Sequence, residues 1–93
     1  MPISKEIVVQ HEVGLHARPA AQFVKLATKY RTEIRVENLT KGTNPVNAKS
    51  LISILSINVV RDDKIRITAE GENEQEAVKA LVDLIKRNFG EHA

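Results

Sequence analysis

The chain is expected to fold as an α+β domain: one antiparallel sheet with helices on one face, in the order βαββαβα. Three observations lead there. Segments 3–10, 32–38, 46–48 and 64–71 are β-branched or alternate apolar with polar residues, the period of strands. Three further runs, beginning at Ala17, Ser50 and Asn73, carry apolar residues at helical spacing. No repeat, linker or low-complexity stretch separates them, so residues 1–93 read as a single domain. For so short a chain, helices packed on one face of an antiparallel sheet is the economical arrangement.

"ISKEIVVQ" (3–10) is rich in β-branched residues and reads as the first strand. "HEVGL" is a loop in which Gly14 supplies backbone freedom. From Ala17, the residues Ala20, Phe23, Val24 and Ala27 recur at helical spacing. In "TEIRVEN" (32–38) Ile34 and Val36 alternate with charged residues, as in a half-buried strand. "LTKGTNP" is a turn cluster, and a short strand at Val46–Ala48 closes a hairpin. "SLISILSI" (50–57) suits a short helix capped by Ser50. "KIRITAEG" (64–71) alternates again, and "NEQEAVKALVDLIKRNFG" carries the last helix. There Asn73 and Glu76 have capping-box spacing, Lys86 and Arg87 suit the C-terminal end, and Gly90 suits a C′ stop.

Composition narrows the function. Fourteen basic against twelve acidic residues leave a formal +2, too balanced to argue for nucleic acid or an anionic membrane. The aromatics Phe23, Tyr30 and Phe89 all fall in segments read as helical, so the strands offer no platform for stacking bases. The absence of Cys excludes disulfides and thiolate metal sites. His11 and His16 lack a nearby carboxylate pair in a ligand pattern, and His92 falls in a terminal tail expected to fray, so no metal or cofactor is expected. The N-terminus lacks a signal-peptide core and no run is long enough to span a bilayer; the expectation is a cytoplasmic monomer.

The chemistry concentrates in "GLHARPA", Gly14–Ala20. With His16 at the N-cap and Ala17 at N1, Pro19 falls in the first turn, where its missing N–H leaves no intrahelical bond unmade. The free amides and the positive helix end favour an anion. Arg18 adds a planar, permanently charged donor fork for phosphate oxygens. His16 adds an imidazole that is a competent neutral nucleophile near physiological pH. Nucleophile, cradle and cation within three residues are what reversible phosphoryl capture requires. A small acylphosphatase-like hydrolase would also want an arginine and backbone amides near phosphate, but the chain shows no evident group to position attacking water.

"GLHARPA" before an Ala/Phe/Val helix, "VNAKS" before an apolar helix and "KIRITAEGENEQEAVKALVDLI" together resemble the HPr family, the histidine-containing phosphocarriers of the bacterial phosphotransferase system. The resemblance covers nearly the whole chain. It implies an open-faced β-sandwich with a four-stranded antiparallel sheet of order 1-4-2-3 and three helices. It further implies that His16 accepts phosphate on Nδ1 from phosphorylated enzyme I and passes it to sugar-specific enzyme IIA components, with Arg18 steadying the phosphate. Ser50 would be a regulatory phosphorylation site for an ATP-dependent HPr kinase/phosphorylase, with a transcriptional regulator as a further partner. An HPr-like paralogue with a mainly regulatory role is the alternative, although loss of the histidine would be its expected mark. Three departures stand out: Val13 where many members carry a small polar residue that tethers the loop, a longer turn at "NLTKGTNP", and Asn58 and Asp62 near positions that often hold glycine.

Plotted at about 100° per residue, the apolar residues of 51–57 span about 220°, more than one core-facing stripe requires. Some of that surface should be exposed. Leu51, Ile52 and Leu55 are the expected apolar part of a partner-docking face; Arg18, Lys25 and Lys49 are its expected basic rim toward acidic partners.

Overall fold

Period-two alternation builds the sheet and helical spacing builds its cover. In the computed structural model, which describes residues 1–90, the elements are β1 (Ile3–Val8), α1 (Ala17–Thr28), β2 (Glu33–Asn38), β3 (Val46–Asn47), α2 (Leu51–Ser56), β4 (Lys64–Glu70) and α3 (Glu74–Lys86). A 3₁₀ turn at Asn88–Gly90 follows. The strands lie in the order β1-β4-β2-β3 and every pairing is antiparallel. Ile65, Ile67 and Ala69 of β4 and Ile34 and Val36 of β2 point into the core, where they meet Phe23 of α1 and Val78 and Leu81 of α3. The opposite face carries charge. Arg66 stands across from Glu6 on one side and Glu37 on the other, and pairs with them at 3.2 and 3.5 Å. This is the open-faced sandwich. Among the described residues no helix is long and apolar enough to cross a membrane.

Several boundaries differ from the sequence expectation. The first strand stops at Val8, not Gln10, because its partner β4 begins at Lys64 and the chain before it turns at Asp62, which has φ 76°. The remaining strand and helix ends move by a residue or so, as fraying ends do. The capping box of α3 does not form. Asn73 has left-handed backbone, φ 59° and ψ 31°, and makes no side-chain cap, whereas the box requires an extended N-cap. Glu74 Oε2 instead accepts from the Gly71 N–H at 3.0 Å.

The last helix ends early too. Arg87 is the C-cap, and Asn88 at φ 56° takes the left-handed C′ position expected of Gly90. Phe89 follows at φ 58° and is 3% exposed. Burying an aromatic ring contributes about 2–3 kcal/mol, enough to offset a left-handed non-glycine residue at about 1–2 kcal/mol. Phe89 therefore leaves the helix to enter the core, and Tyr30 lies just past α1. Neither lies in an α-helix as expected, yet no aromatic lies on a strand. His92 lies outside the described residues.

Candidate functional site

His16 is the N-cap of α1, with extended backbone (φ −132°, ψ 163°) and a half-buried side chain. Its carbonyl accepts from the Ala20 N–H, but its imidazole makes no capping hydrogen bond. The ring is thus not occupied in ending the helix. Ala17 is not the ordinary N1 residue the sequence suggests. It has φ 51°, a left-handed conformation costing an alanine about 1–2 kcal/mol, and it swings the chain from the loop into the helix. The amides of Ala17 and Arg18 have no intrahelical acceptor and Pro19 has no N–H. With no acidic residue in the first turn, nothing there offsets the positive helix end. Arg18 is exposed in that same turn, so His16, the open amides and Arg18 all fall within one turn of chain.

The loop before His16 is held from below. The Gly14 N–H donates to the His11 carbonyl at 2.9 Å, and the Leu15 N–H to the Val59 carbonyl at 3.0 Å. The Val13 N–H donates to His11 Nδ1 at 3.1 Å. His11 is 8% exposed and lies edge-on to the Phe89 ring, centroids 5.6 Å apart. A backbone amide of Val13 therefore meets a side chain where the resemblance led one to look for a side-chain tether at that position. Gly14 is packed so closely that an added Cβ would stand 2.2 Å from the Val59 oxygen.

Ser50 caps α2, its Oγ accepting from the Ser53 N–H at 3.3 Å. The apolar excess of α2 divides cleanly. Ile54 and Ile57 are buried, whereas Leu51, Ile52 and Leu55 are 42%, 81% and 38% exposed. Val13 and Val60, beside the Gly14 contact, are also exposed and extend the apolar character to the loop, which sequence reasoning missed. The lysines are less convergent. Lys25 is exposed about 12 Å along α1 from its start, lining a shallow cleft with Leu84 and Arg87. Lys49 is half-buried and its Nζ donates to the Tyr30 carbonyl at 2.5 Å. That carbonyl lies past the far end of α1, so the structure does not bring Lys49 to His16.

A buried polar cluster supports the connection from α2 to β4. Asp63 Oδ2 accepts from Lys41 Nζ at 2.8 Å, Asn38 Nδ2 at 3.0 Å and the Val60 N–H at 3.1 Å. Burial pushes the Asp63 carboxyl up, but the Lys41 and Asn38 donors with the Val60 amide outweigh it and hold the group below the usual carboxylate range. The longer β2–β3 turn supplies Lys41, and Asn58 and Asp62 take left-handed backbone, φ 47° and 76°, as residues of their types tolerate. Sequence reasoning missed this cluster. The signal lay in the alternation: Asp63 is in phase with Ile65 and Ile67, and Asn38 with Ile34 and Val36, so both polar residues had to point inward and find partners.

Comparisons with known proteins agree with this fold. The family model described as "PTS HPr component phosphorylation site" matches residues 3–87. The phosphocarrier protein HPr of Haemophilus influenzae is 43% identical over 82 residues, covering 88% of this chain and 93% of that protein. The multiphosphoryl transfer protein of Salmonella typhimurium is 38% identical over 91 residues, 98% of this chain but 24% of that protein; the chain spans about a quarter of such relatives. The crystal structure of HPr-C-His from Thermoanaerobacter tengcongensis superposes with a TM-score of 0.91 at 45% identity, covering 98% of this chain and 99% of that one. With the fold, the strand order and the histidine at a helix start all in hand, the chain belongs to the HPr family of the phosphotransferase system.

Proposed function

We propose that this chain is a phosphoryl carrier of the phosphotransferase system, with His16 as the group that carries the phosphate. The observation supporting it most directly is the His16 imidazole, unused by the helix it precedes and followed within one turn by Arg18 and the open amides. Neutral His16 attacks the phosphorus of phosphorylated enzyme I. The bond from phosphorus to its donor breaks as the bond to Nδ1 forms, and Arg18 and the helix end balance the phosphate charge. Transfer to an enzyme IIA component reverses the step, so the chain ends each cycle unchanged, a carrier and not a hydrolase. Leu51, Ile52 and Leu55 form the apolar face that meets these partners. Ser50 is the regulatory phosphorylation site, because a charge there lies beside that face. A purely regulatory paralogue would have no use for His16.

Incubation with phosphoenolpyruvate and enzyme I, followed by intact mass, is the test. One added phosphate, lost in acid and retained in base, is expected for the wild type and none for His16→Ala. Normal labelling of that variant would remove His16 from the role.

A further inference from the structure

We infer that Asp63 is a positioning residue for His16, acting through the peptide unit between Val59 and Val60. The inference rests on the reading of His16 as phosphoryl acceptor. That peptide unit is held at both ends: its N–H donates to Asp63 Oδ2 at 3.1 Å, and its carbonyl accepts from the Leu15 N–H at 3.0 Å. A trans peptide is planar with its N–H and C=O opposed, so the group that sets one end sets the other. Leu15 immediately precedes His16 and is fully buried. Gly14 lies against the same peptide, with room for no Cβ. The plane of this one unit therefore sets where the loop delivers His16.

Asp63 is itself well fixed. It is 6% exposed, and Lys41 Nζ and Asn38 Nδ2 converge on the same Oδ2. Those two donors also bind the preceding carbonyls, Asn38 to Ile57 at 3.0 Å and Lys41 to Asn58 at 2.8 Å. Three consecutive carbonyls, 57 to 59, thus have partners. The backbone of Asp63 holds the other end of the loop, its carbonyl accepting from the Val9 N–H at 2.9 Å. Both ends of the 9–15 segment are anchored at or through Asp63, by main chain at Val9 and by side chain at Leu15.

All three side-chain bonds use Oδ2, so Asp63→Asn keeps them if its amide oxygen takes that place, whereas Asp63→Ala removes them. Two readouts separate positioning from stability: the kcat and KM for phosphoryl transfer from enzyme I, and amide hydrogen exchange at Leu15 in the unphosphorylated protein. In Asp63→Ala, kcat falls about tenfold with KM within about twofold, since none of the Asp63 side-chain bonds reaches Leu51, Ile52 or Leu55. Leu15 exchange rises about tenfold beyond any change at Ile67 in β4, which reports global opening. Asp63→Asn restores both toward wild type. If Asp63→Ala does not melt cooperatively, Asp63→Leu, which fills the volume without an acceptor, takes its place. A variant without the acceptor that melts lower yet keeps wild-type kcat, or an Asp63→Asn that fails to restore kcat, overturns the proposal. Leu15 exchange unchanged relative to Ile67 does so as well. Normal labelling of His16→Ala would instead remove the acceptor reading, and this proposal with it.

Discussion

Gly14 and Gly42 share a backbone angle, φ 69°, but not their surroundings. A Cβ on Gly42 would meet nothing within 4 Å; one on Gly14 would stand 2.2 Å from the Val59 oxygen and 2.7 Å from the Val60 Cα. Gly42→Ala therefore isolates the left-handed penalty of an L side chain, about 1 kcal/mol, while Gly14→Ala adds a backbone clash and should lose more than about 2 kcal/mol. Urea unfolding of the two variants measures the difference. Equal losses would mean that the 59–60 connection yields freely, and that the loop does not rest on it. The imidazole and guanidinium were legible because they sit two residues apart at a helix start. The close approach beneath them was not, since Val59 is distant in sequence.

The second helix has six residues and buries only Ile54, so its cap matters more than in a longer element. Ser50→Ala should cost about 1 kcal/mol and still be labelled at His16. Ser50→Asp keeps an acceptor for the first turn and places a negative charge at a positive helix end. It should melt no lower than wild type yet be labelled more slowly; a wild-type initial rate in a normally folded Ser50→Asp would leave Ser50 as a cap alone. Its neighbours divide by exposure. Ile52 is 81% exposed against 38% for Leu55, so Ile52→Asp should weaken binding to enzyme I with an unchanged melting curve, and Leu55→Asp should lose stability as well. Comparable destabilisation by both would assign the stripe to packing. The excess of apolar arc was readable from seven residues, but which residues it exposes depends on where α1 and β3 press against the helix.

The Asp63 cluster joins the β2–β3 turn, the α2–β4 connection and the loop before α1, so its titration is felt across the fold. The folded carboxyl lies below its ordinary value of 3.8. Its contribution is fully present above pH 3.8 and is lost as pH falls through the folded value, because only the unfolded chain takes up a proton between the two. Urea midpoints of wild type and Asp63→Asn should differ most at neutral pH and converge in acid, once both side chains are uncharged. A gap that stays constant through that range would show that the carboxylate gains nothing from Lys41. Glu6 is also held low, chiefly by its hydrogen bond to Arg66, but it lies on the exposed sheet face where water screens such pairs.

Element order, the histidine and arginine at a helix start and the surplus apolar arc of α2 were all legible in the chain, because each depends on periodicity or spacing within a few residues. The strand order came from the resemblance and not from the residues, since pairing joins segments far apart, as β1 with β4. The early end of α3 was settled by a core that takes in Phe89, and the failed capping box by the left-handed turn at Asn73. The cluster under the loop needed contacts across 22 and 25 residues. Local pattern shows that a buried Asp63 must have partners; only the packed sheet brings Asn38 and Lys41 within reach, because a partner is defined by proximity in space.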